Sequence, residues 1–164
     1  MPFVPPPRLD ERCYIGLQRY FLTICTRDRR KAFIDPSMVG PVVARLLDIA
    51  DSRRFTVVVY CVMPDHLHAL LEAQSDAADF REFVRVFTQC TSFQWKRKVG
   101  TDLWQRSYFD RVLRADEDTP SIAKYILENP VRAGLAKEPL NYPYLGSVTM
   151  DVRDLLNSIA ERPT

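Results

Sequence analysis

Hydrophobic and polar positions along this chain switch between two periods, and the switches mark out its elements. Tyr20-Phe21-Leu22-Thr23-Ile24-Cys25-Thr26 is dense in β-formers and predicts a strand. Asp35-Pro36-Ser37 resembles a helix start, and Val39, Val42, Val43, Leu46, Leu47 and Ile49-Ala50 follow at helical spacing to about Arg53. Phe55 to Met63 is a nearly unbroken apolar run, which predicts a central strand covered on both faces. Pro64-Asp65 breaks it, and His66 to Ala73 reads as its hairpin partner. Asp76 to Lys98 predicts a long helix with Phe80, Phe83, Val84, Phe87, Cys90 and Thr91 on one side, ended by Gly100. Ser107 to Arg114 alternates as a strand.

Thr119-Pro120 predicts an N-cap followed by proline at the first helical position. The helix carries Ile122, Ala123, Tyr125, Ile126 and Asn129, and Pro130 is expected to end it. Asn141-Tyr142-Pro143-Tyr144 is turn-rich, and Asp151 to Glu161 predicts a short amphipathic helix with Val152, Leu155, Leu156 and Ile159 inward. The order β-α-β-β-α-β then α predicts an α+β fold of the ferredoxin-like kind: an antiparallel sheet with helices on one face and an added C-terminal tyrosine-bearing helix. The second face is then either covered or a working surface. The expected organisation is an extended Pro-rich arm over 1–13, one domain over 14–148, and a helical tail over 149–164.

Composition narrows the class. The 164 residues are 46% hydrophobic, enough for a real core. No apolar run approaches the roughly 20 residues of a membrane span, and the start lacks the apolar stretch of a signal peptide. Cys13, Cys25, Cys61 and Cys90 form no CxxC pair, which argues against structural zinc and a compact disulfide framework. They read as reduced thiols of a cytoplasmic protein.

The net charge of +2 is unevenly spread. From 81 to 114 the chain holds eight basic residues (Arg81, Arg85, Lys96, Arg97, Lys98, Arg106, Arg111, Arg114) against three acids (Glu82, Asp102, Asp110). Phe83, Phe87, Phe93, Trp95, Trp104, Tyr108 and Phe109 interleave with them. Basic and aromatic residues together suit a phosphate backbone with bases to stack. A solvated helix face above an aromatic core gives the same pattern.

The chain has two histidines, and they sit two residues apart in Met63-Pro64-Asp65-His66-Leu67-His68. On a strand the period of two puts both imidazoles on one face, which makes half a metal site. Asp65 precedes His66 and is expected to point the other way; at most it orients a histidine. Tyr125 and Asn129 are one helical turn apart and share a face. On spacing alone the simpler readings are a half-buried helix tyrosine and a C-terminal cap.

Three blocks change that weight. They are Met63-Pro64-Asp65-His66-Leu67-His68-Ala69-Leu70-Leu71, Trp104 to Arg114, and Tyr125-Ile126-Leu127-Glu128-Asn129-Pro130-Val131-Arg132-Ala133-Gly134-Leu135. In this order and spacing they resemble the REP-associated tyrosine transposases, relatives of the single-tyrosine transposases of insertion sequences with a histidine–hydrophobic–histidine (HUH) motif. Thr26 to Phe33 and Asn141 to Tyr144 fit too, so the likeness runs from about Tyr14 to Ser147.

The resemblance implies a chemistry. His66 and His68 would hold Mg²⁺ or Mn²⁺, with the Asn129 amide oxygen as a third ligand; many relatives have Gln there, one methylene longer. An oxygen-rich shell suits these ions better than zinc. Tyr125 would be the nucleophile, with Tyr108 as its rival. Attack would leave a 5′-phosphotyrosine and a free 3′-OH, so cleavage and rejoining need no ATP. The implied substrate is single-stranded DNA beside a REP-type hairpin, held by the basic stretch and Arg132, with Trp104 or Tyr108 stacking a base. Relatives with this signature act as monomers or homodimers. Two other readings of the residues stay open: a non-catalytic nucleic-acid-binding module, and a metal-dependent phosphodiesterase using water.

Overall fold

The computed structural model describes residues 10–113 and 119–161. Five strands form one antiparallel sheet: β1 (Arg19–Cys25), β2 (Phe55–Met63), β3 (His66–Ala73), β4 (Phe109–Leu113) and β5 (Leu145–Gly146). Their order is β4-β1-β3-β2-β5, so the first four strands follow the ferredoxin-like arrangement. Four α-helices complete the fold: α1 (Pro36–Ser52), α2 (Phe80–Val99), α3 (Thr119–Arg132) and α4 (Val152–Ala160).

The sheet is covered on both faces. Tyr20, Leu22 and Ile24 of β1 and Leu67, Ala69 and Leu71 of β3 pack with the apolar stripes of α1 and α2. Val59, Cys61, Met63 and Leu70 pack instead with Ala123, Ile126 and Leu127 of α3 and Leu155 of α4. Phe55 and Val57 belong to the first layer and Val59 to the second, although all three are odd-numbered. A register shift in the β2–β3 pairing between Val57 and Val59 inserts one residue and flips the faces. That irregularity is why β2 reads as an apolar run rather than an alternation.

Several boundaries differ from the sequence expectation. Residues Glu11–Tyr14 form a 3₁₀ turn rather than the end of an extended arm, and residues 1–9 lie outside the described part. Helix α2 begins only after Asp79, whose carboxylate accepts from the Arg81 and Glu82 amides. Its end at Gly100, in the left-handed region, is as expected.

Pro130 does not end α3. The helix runs on to Arg132, and the backbone turns at Gly134, with φ +70. There the Gly134 amide donates to the Val131 carbonyl, and the Leu135 amide to that of Pro130. Thr119 lies inside α3, and its hydroxyl is buried with no hydrogen bond among the described residues, so it is not the expected cap. Strand β4 is shorter than foreseen, starting at Phe109.

Candidate active site

Strand β1 pairs antiparallel with the histidine strand β3. Thr23 stands opposite His68 and Cys25 opposite His66. Direct cross-strand partners share a face, so Phe21 and Thr23 project with the histidines onto the side covered by α3. Leu67, between the histidines, points into the other core layer.

The imidazoles are held from behind. His66 Nδ1 lies 2.6 Å from Asp65 Oδ1, and His68 Nδ1 lies 2.7 Å from the Thr23 hydroxyl. Their Nε2 atoms face each other at 3.1 Å. Only one proton arrangement with both rings neutral satisfies all three contacts: Thr23 donates to His68 Nδ1, His68 Nε2–H to His66 Nε2, and His66 Nδ1–H to the carboxylate. Burial, reinforced by the neighbouring His66 ring and the cations Arg132 and Arg29, holds the His68 imidazole down to about 3; it is 5% exposed. Burial also lowers His66, against the opposing pull of Asp65. Both rings are therefore neutral at neutral pH, the form that ligates metals.

Helix α3 supplies the facing groups. Ala123, Ile126, Leu127 and Pro130 form its buried stripe. Tyr125, Asn129 and Arg132 follow at i, i+4 and i+7 on the adjoining stripe. Tyr125 is 42% exposed, with its ring 5.9 Å from those of His68 and Phe21. Phe21 also lies 5.6 Å from His68 and so forms a floor between the two. The Arg132 guanidinium sits 4.1 Å above the Tyr125 ring and donates to the Tyr125 carbonyl at 2.7 Å. Asn129 Nδ2 donates to the same carbonyl at 3.3 Å.

The spacing of the donors suits a hard divalent cation. Two ligands about 2.1 Å from an octahedral ion, at right angles, stand about 3 Å apart, and the Nε2 atoms are 3.1 Å apart. The pair therefore fits two adjacent positions. Among the described residues no group of three His, Cys, Asp or Glu is placed to hold a metal. The remaining positions would fall to the Asn129 amide, water or substrate oxygens.

The basic residues scatter. Arg81 and Arg85 lie along α2, on the opposite face of the sheet, paired with Glu11 and Glu82. Lys96, Arg97 and Lys98 occupy the last turn of α2, where they complement the helix dipole. Lys96 also meets Asp102, and Arg97 lies over Phe93. Arg106 is exposed before β4. Arg111 is exposed and paired across from Phe21, which puts it on the histidine face. Arg114 lies outside the described residues.

Trp104 corrects its expectation. It is 6% exposed, donates to the Thr91 hydroxyl and packs on Phe33 and Phe87, so its ring is part of the core rather than a platform for a base. Tyr108 packs against the same core, away from the histidines.

Two contributors were not foreseen. Thr23 carried a faint signal as the polar position in an apolar strand, but its register with His68 could not be read. Arg29, whose Nε lies 3.1 Å from Asp65 Oδ2, gave none.

Comparison with known proteins places the chain in a family. The family model for IS200-like transposases matches residues 15–129. The REP-associated tyrosine transposase of Escherichia coli is 23% identical over 137 residues, covering 81% of this chain and 78% of that protein. The ISDra2 transposase TnpA of Deinococcus radiodurans is 32% identical over 123 residues, covering 70% and 86%. A REP-associated tyrosine transposase solved bound to a REP hairpin superposes with a TM-score of 0.75 over 98% of this chain and 89% of that one, at 21% identity. With a family match spanning both histidines, Tyr125 and Asn129, the chain belongs to the IS200-like transposase family.

Proposed function

We propose that this transposase cleaves and rejoins single-stranded DNA through a covalent link to Tyr125, with Mg²⁺ or Mn²⁺ held by His66, His68 and Asn129. The observation that carries it is the convergence of Tyr125 with the facing Nε2 pair, across two elements 57 residues apart in sequence.

The cation, when bound, polarises the scissile phosphate and neutralises developing charge. The chain's own groups do the rest. Phe21 and the Arg132 guanidinium sandwich the Tyr125 ring from its edge and face, which limits the rotamers open to its hydroxyl. The positive charge of Arg132 beside that ring favours an approaching phosphate. The Tyr125 Oη–P bond forms as the P–O3′ bond breaks; the phenol loses a proton and the 3′ oxygen gains one. The reverse step, with the 3′-OH of another end, rejoins DNA and restores the phenol. Arg111, on the same face, is placed to meet the backbone.

A hairpin-bound transposase of the same fold supports a REP-type hairpin as substrate. The partly exposed, arginine-stacked tyrosine favours this reading over a water-using phosphodiesterase. The test is a denaturing gel with labelled single-stranded hairpin DNA and Mn²⁺. Wild type is expected to give a slow-migrating covalent species, and Tyr125→Phe none, with hairpin binding retained. An adduct undiminished in Tyr125→Phe refutes the assignment.

A further inference from the structure

We propose that Asp65 and Arg29 form a positioning pair that fixes the tautomer and aim of His66, an inference that rests on the metal-site reading above. The Asp65 carboxylate is shared: Oδ1 meets His66 Nδ1 at 2.6 Å and Oδ2 meets Arg29 Nε at 3.1 Å. The carboxylate thus sits behind the imidazole, on the side away from His68. The Arg29 contact fixes the carboxylate there as a hydrogen-bond acceptor, so His66 keeps its proton on Nδ1 and presents a lone pair at Nε2.

The loop carrying Arg29 is built for this. Asp28 and Arg29 have φ +56 and +55, a conformation that residues other than glycine seldom adopt and rarely twice in succession. Buried Thr26 staples the loop to the β2–β3 turn. Its amide donates to the Asp65 carbonyl at 2.9 Å, and its single hydroxyl proton is shared between the Arg30 carbonyl at 2.6 Å and the Asp65 carbonyl at 3.0 Å. The Phe33 amide donates to the Pro64 carbonyl at 3.0 Å. These bonds tie the loop to the turn before His66. Strand alternation alone would have sent Asp65 to the opposite face; its place in the two-residue turn lets it swing behind the ring.

Two measurements on the full chain without DNA test the pair separately from the metal reading. Long-range ¹H–¹⁵N spectra of the histidine rings report tautomers. Wild type is expected to show His66 protonated at Nδ1, Asp65→Asn and Arg29→Gln to lose that single form, and Arg29→Lys to recover most of it. Unfolding midpoints within a few degrees of wild type verify that each variant folds. A wild-type His66 protonated at Nε2, or an unchanged tautomer in both Asp65→Asn and Arg29→Gln, overturns the proposal. Titration with Mn²⁺ alone, followed by the electron paramagnetic resonance signal of the unbound ion, supplies the second readout. Asp65→Asn is expected to weaken binding about 10- to 100-fold, and Arg29→Gln less. Equal affinity in both variants counts against the pair. Wild-type binding no tighter than in a His66→Ala/His68→Ala protein sinks the metal reading, while the tautomer spectra still decide the positioning role.

Discussion

His68 is the most constrained side chain of the site. Burial holds its imidazole down to about 3 from an ordinary 6.5, and His66 is lowered in the same direction. The unfolded chain therefore binds more protons than the folded one at any pH between those two values. The contribution of the neutral ring is whole above pH 6.5 and is lost as pH falls toward 3. Between pH 6.5 and 5, before most carboxylates titrate, His68 alone should cost about 1 to 2 kcal/mol. Urea unfolding at the two pH values checks this, with a shallower pH dependence expected in His68→Gln; an unchanged slope contradicts it. At this scale the sequence showed what is local. Two histidines at i and i+2, and Tyr125 with Asn129 at i and i+4, follow from backbone periodicity. Thr23 and Arg29 reach the site through strand register and a left-handed loop, and neither leaves a periodic trace.

At the scale of elements, α3 decides whether Tyr125 meets the histidines. Its buried stripe of Ala123, Ile126 and Leu127 packs on Val59, Cys61, Met63 and Leu70, the face of β2 and β3 that carries His66 and His68. The same contacts that stabilise the helix set the height of Tyr125 above the imidazoles. Leu127→Ala is expected to lower unfolding stability by about 2 to 5 kcal/mol and to slow adduct formation more than hairpin binding. Chemical denaturation and a time course of the covalent species measure the two effects; loss of stability with an unaltered rate would show that α3 packing does not position the tyrosine. The limits of β2 and β3 were legible because a proline–aspartate turn separates a nearly unbroken apolar run from the histidine strand. Those of α3 were not. Pro130 is a stop signal by propensity, yet it is buried against the fold and Gly134 makes the turn. Tertiary packing prevailed over the local preference.

The whole molecule is a sheet with a division of labour between its faces. Helices α1 and α2 build the larger core on one side, and α3 and α4 close a smaller layer that holds the histidine pair and Tyr125. The element order foretold the antiparallel sheet but placed the helices on a single face. The second layer depends on the face flip at Val57–Val59 and on where the chain goes after β4, and no local pattern encodes either. The basic stretch illustrates the same limit. Read linearly it was one surface; folded, Arg81 and Arg85 lie on α2 while Arg111 faces the histidine side. Trp104 left the surface altogether. No helix among the described residues is long and apolar enough to cross a membrane.

The central claim is that one tyrosine, Tyr125, carries the DNA strand. The most direct measurement is to trap the covalent species from wild-type protein, hairpin DNA and Mn²⁺, digest both polymers, and locate the nucleotide by mass spectrometry. The expected product is a 5′-phosphotyrosine on the peptide containing Tyr125 and on no other. A nucleotide on Tyr108 or any other residue, or no covalent species from a protein that binds the hairpin, would contradict it.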